Sequence, residues 1–123
     1  MAQLTITYVA KFKDGPVVLA TMDHAGAQLL KDAFVRCRTT RLCRFSCNTV
    51  VHTVQIEEQP ATITIGNDTV QWRLSLSILQ EIIDDLDSMM DGKGHHYVNI
   101  TSLADTLVLS VNEYAAPEES KDR

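Results

Sequence analysis

The chain has 123 residues, 45% of them hydrophobic and 22% charged, and a formal net charge of −5. That length fits about one domain with a core of its own, and that composition excludes a disordered or collagen-like protein. Three cysteines, Cys37, Cys43 and Cys47, are an odd number and read as reduced thiols, not as a disulfide framework.

The N-terminal stretch MAQLTITYVAKFK alternates polar and apolar residues and has neither a basic leader nor a long apolar run. Neither a signal peptide nor a membrane span is expected, and the chain reads as cytoplasmic. LTITYVAKF and VVLATM flank the turn KDGP as a β-hairpin. A helix over roughly residues 23 to 37 follows, with Gly26 and Ala33 at positions where small residues let another segment pack closely. NTVVHTVQIE, residues 48–57, is the next clear strand, and ATITI and TVQWRL flank the turn GND as a second hairpin. Leu79, Ile82, Ile83, Leu86, Met89 and Met90 then recur at helical spacing, with Ser77 and Gln80 placed as a capping box and Gly92 and Gly94 beyond the end. DTLVLSVNEY, residues 105–114, is the closing strand, and residues 115–123 read as a disordered acidic tail.

The closing strand echoes the earlier one. At a shift of 57, Thr49, Val50, Val51, Thr53, Val54 and Gln55 meet Thr106, Leu107, Val108, Ser110, Val111 and Asn112. A shift of 53 aligns the upstream helices, pairing Leu29 with Ile82, Leu30 with Ile83, Ala33 with Leu86 and Cys37 with Met90. The difference calls for a four-residue insertion, in DGKGHH or in the SLA loop beyond it. The expected fold is a single α+β domain over residues 1–114, built from duplicated β-β-α-β-β halves at about 3–57 and 61–114. Antiparallel sheet is covered by two helices, and the halves are related by a pseudo-twofold axis. Leu29, Leu30, Phe34, Leu79, Ile82, Ile83, Leu86, Leu107, Leu109 and Val111 form the expected core.

No catalytic motif stands out. There is no G-x-S-x-G elbow, and the glycines of DGKGHH lack the strand-before, helix-after setting of a phosphate loop. A non-enzymatic protein without a cofactor is the reading that follows. His52 occupies a strand position where the other half has Leu109, and alternation turns it toward the core with Val50, Val54 and Ile56. Together with His96, and with Cys43 and Cys47 at i and i+4, it defines the alternative reading of a small-ligand or metal-binding domain. The C-x5-C-x3-C spacing lacks the C-x2-C knuckle of structural zinc sites.

Charge is the stronger signal. Residues 1–60 hold seven Lys and Arg against five Asp and Glu, whereas residues 61–123 hold four against eleven. Glu81, Asp84, Asp85, Asp87 and Asp91 line one helix face, where like charges at i, i+3 and i+4 repel and the last two oppose the helix dipole. Such a face suits docking on a basic surface, of a partner protein or of a second copy in a homodimer. The basic run RCRTTRLCR has no interleaved aromatics, which speaks against nucleic acid.

GHHYVNI after an amphipathic helix, followed by DTLVLSVNEY, resembles small bacterial immunity proteins of polymorphic toxin systems, over residues 76–114. The resemblance implies a non-enzymatic binder that neutralises a partner.

Overall fold

A computed structural model describes residues 2–13, 15–101 and 104–112. The expected tail at 115–123, and the last two residues of the expected strand 105–114, lie outside the described residues. The chain forms β1 (Leu4–Phe12), β2 (Gly15–Met22), α1 (His24–Thr40), β3 (Leu42–Cys47), β4 (Val50–Ile56), β5 (Thr62–Ile65), β6 (Thr69–Leu74), α2 (Leu76–Ser88), β7 (Gly94–Asn99) and β8 (Thr106–Val111). The fold is α+β, and no helix among the described residues is long and apolar enough to cross a membrane.

Both expected hairpins are antiparallel pairs, β1 with β2 and β5 with β6, and β3 with β4 and β7 with β8 form two more. What joins them is parallel. β2 pairs with β8 and β4 with β6, giving two mixed four-stranded sheets of order β1-β2-β8-β7 and β3-β4-β6-β5. Each sheet therefore takes one hairpin from each half of the chain. Replacing β1, β2, β3 and β4 by β5, β6, β7 and β8, and the reverse, turns one strand order into the other, as a pseudo-twofold axis requires. β3 and β7 correspond at a shift of 53 and β4 and β8 at a shift of 55, so the connection from β7 to β8 is two residues longer than that from β3 to β4, not the expected four.

The helix caps refine the alignment. The Asp23 carboxylate accepts from the Gly26 N–H at 2.7 Å, and the Ser75 hydroxyl accepts from the Ile78 N–H at 3.2 Å. Ser75, not Ser77, is thus the cap of α2; Ser77 instead bonds to the Ser75 hydroxyl at 3.2 Å. With the caps matched, Ala27, Leu30, Phe34 and Cys37 fall on Leu79, Ile82, Leu86 and Met89, all buried. The helices therefore correspond one residue away from the spacing expected from sequence. α1 also runs past Cys37 to Thr40 and ends on Arg41, whose left-handed φ of 66° lets its N–H donate to the Cys37 carbonyl at 2.8 Å.

α1 packs on β3 and β4 and touches β2, α2 packs on β7 and β6, and the two helices lie against each other. The side chains between them make one continuous core containing every residue expected there; only Leu29 is partly exposed. The link between the halves is pinned, because the Ala61 carbonyl accepts from the Thr101 N–H at 2.8 Å and the Glu57 N–H donates to Leu74 at 2.9 Å.

Gly26 explains the small residue at the start of α1. The Asp23 carboxylate that caps the helix also accepts from the Gln3 N–H at 3.0 Å, and this draws the residues before β1 onto the first turn. A Cβ on Gly26 would overlap the Gln3 carbonyl oxygen, with the Gln3 carbonyl carbon at 2.8 Å and the Met22 Cβ at 3.2 Å. In an open helix interior Gly→Ala stabilises by about 1 kcal/mol. Here Gly26→Ala should instead destabilise by about 1–3 kcal/mol, because the clash is with backbone. Urea unfolding decides the sign, and a more stable variant would mean that this contact is loose.

Candidate functional site

α2 owes its charged face to its apolar stripe. Leu79, Ile82, Ile83 and Leu86 are buried, which leaves Glu81, Asp84 and Asp87 exposed and Asp85 half-buried; Asp91 is exposed just past the helix. The structure thus brings together all five expected partner-binding residues. No basic residue stands in the last turn to offset the dipole. Burial, followed by the neighbouring Asp85, pushes the Glu81 carboxyl above the usual range. Burial also raises that of Asp85, with Asp84 adding to the effect and His96 opposing it.

The fold neutralises part of this face itself. Lys31 of α1 reaches Asp87 at 2.8 Å, and His96 Nδ1 lies 3.4 Å from Asp85, its Nε2 bonding Ser88 Oγ at 3.1 Å. Asp84 accepts from Gln80 Nε2 at 3.0 Å, and Arg38 donates to Gln80 Oε1 at 2.9 Å. Among the described residues, Glu81 and Asp91 have no side-chain hydrogen bond or ion pair. Lys31 is the member that sequence reasoning missed. It supplies its cation from α1, across the contact between the two helices.

His52 and His96 do not form a shared site. His52 pairs with Phe45 across β3 and β4, in one sheet, and His96 pairs with Leu109 across β7 and β8, in the other. In the pseudo-twofold correspondence Met22–Val111 answers to Leu74–Ile56, so Val98 takes the place of Phe45 and Leu107 that of His52, two residues from the expected Leu109. Cys43 donates to the Ala33 carbonyl at 3.2 Å, and Cys47 to the Ala2 carbonyl at 3.6 Å. Among the described residues no group of three His, Cys, Asp or Glu side chains is placed to hold a metal ion, and His52, His96, Cys43 and Cys47 are not brought together as one set.

His52 is nevertheless unusual. It is 1% exposed, stacks on Phe45 with ring centroids 4.6 Å apart, and accepts at Nδ1 from the Trp72 indole N–H at 3.1 Å. Trp72 in turn meets Phe34 of α1 edge-on at 5.3 Å. A neutral imidazole that accepts at Nδ1 carries its proton on Nε2, and that buried atom has no partner.

No family model, curated protein or solved structure matches the chain.

Burial lowers the His52 pKa from 6.5 to about 4, whereas the unfolded chain binds the proton at the ordinary value. The unfolded state therefore holds more protons throughout that window. Stability is fully present above the ordinary pKa and is lost as pH falls toward the folded one. Between about pH 7 and pH 5 the loss is about 2 kcal/mol. The raised carboxyls of Glu81 and Asp85 act in the opposite sense. Subtracting urea stabilities of a His52→Gln variant from those of the parent isolates the histidine, and a difference that does not change with pH would refute its neutral burial.

Proposed function

We propose that the protein is a non-enzymatic binding module that docks the acidic face of α2 on a basic surface of a partner protein, with a second copy of the chain as the other candidate partner. One observation carries this reading. Glu81, Asp84, Asp85, Asp87 and Asp91 crowd one helix face, two of them with raised carboxyl pKa values, while among the described residues only Lys31 and His96 stand against them as cations. A basic partner removes the repulsion that the fold leaves in place, and complementary charge sets the association rate and the choice of partner. The likeness of residues 76–114 to immunity proteins adds one partner class, a toxin domain with a basic surface.

Glu81, Asp84 and Asp91 are the residues to change, because they bear no cation of the fold. Combining Glu81→Gln, Asp84→Asn and Asp91→Asn should leave the circular dichroism unchanged and raise stability by a few tenths of a kcal/mol. Association should weaken at least about tenfold at low salt and lose most of its salt dependence. Self-association is read by sedimentation velocity. A heterologous partner is captured on the immobilised parent, purified, and titrated against parent and variant. Equal affinities at low salt would reduce the acidic face to a solvated surface.

A further inference from the structure

Two of the three thiols meet at the end of α1. Cys37 stands in the last turn of the helix, and the left-handed turn at Arg41 folds the chain back so that Cys43, the second residue of β3, returns beside it. Their contacts converge on the same backbone. Cys43 lies opposite Val54 in the β3–β4 ladder, and Cys37 Sγ donates to the Val54 carbonyl at 3.4 Å. Cys43 Sγ donates to the Ala33 carbonyl at 3.2 Å, and Ala33 is one helical turn before Cys37, the turn over which a helical side chain at that position leans. Each sulfur thus rests on the structural neighbour of the other cysteine. The acidity of Cys37 registers the contact: burial pushes its thiol up to about 12, the charge and thiol of Cys43 add to the rise, and the Cys43 N–H and then Arg41 oppose it. Cys47 stands apart. It lies four residues further along β3, roughly 13 Å from Cys43 at the rise of a strand, and its thiol donates to the Ala2 carbonyl at 3.6 Å.

We propose that Cys37 and Cys43 are a redox-active pair, which a peroxide converts to an internal disulfide and a small dithiol returns to two thiols. The difference in burial orders the steps. Cys43 is partly exposed and Cys37 is fully buried, so the oxidant meets Cys43 first. The Cys43 sulfur attacks one peroxide oxygen, the O–O bond breaks, and the departing hydroxide leaves as water with the thiol proton; the sulfur becomes a sulfenic acid. This step removes the Cys43 thiolate charge, one of the causes that hold the proton on Cys37. The Cys37 sulfur then attacks the Cys43 sulfur, the S–O bond breaks, and hydroxide leaves as a second water with the Cys37 proton. Two thiols and one peroxide give one disulfide and two waters. The closed loop contains Arg38, which donates to Gln80 of α2, so oxidation fastens the end of α1 that reaches the second helix. The corresponding places in the other half are Met89 and His96, so the pair occurs once. Neither thiol bonds to α2, and the pair stands or falls independently of the acidic face.

Peptide mapping of the full chain tests this after treatment with hydrogen peroxide, at a dose that oxidises half of free cysteine in the same buffer, and alkylation of the remaining thiols in denaturant. Trypsin cuts after Arg36, Arg38, Arg41 and Arg44, which puts each cysteine on its own peptide. The expected product links the Cys37 dipeptide to the Cys43 tripeptide, has lost two hydrogens, keeps Cys47 alkylated, and returns to free thiols with dithiothreitol. Cys37→Ala should stop at a Cys43 sulfenic acid that dimedone traps. Cys43→Ala should slow the oxidation of Cys37 at least about tenfold, because a buried thiol is left without its exposed partner. The map of the parent decides the matter even where a variant fails to fold. Cys37 and Cys43 peptides that both stay alkylated, or that are linked to Cys47 or to a second chain, would overturn the proposal, as would a folded Cys43→Ala chain whose Cys37 oxidises as fast as in the parent.

Discussion

The parallel pairings of β2 with β8 and of β4 with β6 are the constraint on which the rest of the structure depends. Without them each sheet is reduced to separate two-stranded hairpins, which are marginal in water. With them the central strands of both sheets are paired on both edges, and the two inner faces present apolar rows on which α1 and α2 can lie. The Asp23 junction is a secondary consequence. Once β2 is fixed, the first turn of α1 sits beside the residues that lead into β1, and only glycine at position 26 leaves room for their backbone.

The parts of the fold that were legible in the sequence were local. Turn residues flanked by alternating strands marked the hairpins, and the stripe from Leu79 to Leu86 marked α2, because both signals repeat within a few residues. The parallel joints were not legible, since nothing in β2 names a partner some 90 residues away. The cap of α2 was misplaced by two residues because Ser75 and Ser77 both satisfy the local pattern and only the path of the chain out of β6 chooses between them. The same division holds at the candidate site. Helical spacing gathered the five carboxylates, and alternation turned His52 inward, but Lys31–Asp87 and Trp72–His52 span 56 and 20 residues and arise from packing. His52 and His96 seemed able to share a site because their facing directions agree. Their separation follows from strand exchange, which puts β4 and β7 in different sheets.

The two sheets share a topology but not a chemistry. Phe34, Trp72, His52 and Phe45 form a connected run from α1 through one sheet, with an edge-on contact, an indole hydrogen bond and a stacked pair. The corresponding places around the other sheet are Leu86, Ala20, Leu107 and Val98. Aliphatic side chains there fill space without polar demands. The aromatic side fixes a ring orientation through directional contacts and leaves one buried nitrogen without a hydrogen-bond partner among the described residues. The acidic surface likewise has no counterpart on α1, where Lys31, Arg36 and Arg38 are interspersed with Asp32. The frame is symmetric, and its two halves are chemically unlike.

The exchange of hairpins also governs how the chain can become folded. As synthesis proceeds, the first β-β-α-β-β half emerges with β2 and β4 each open along one edge, and neither edge finds its partner until the second half has been made. Closure is therefore late and long-range, the arrangement that makes folding slow and exposes open strand edges to neighbouring chains. The same geometry gives a lone half an escape: two copies pair β2 of each with β4 of the other and complete both sheets. In such a pair each half would supply the open edge that the other lacks, as the two halves of the full chain do across the link at residues 57–61.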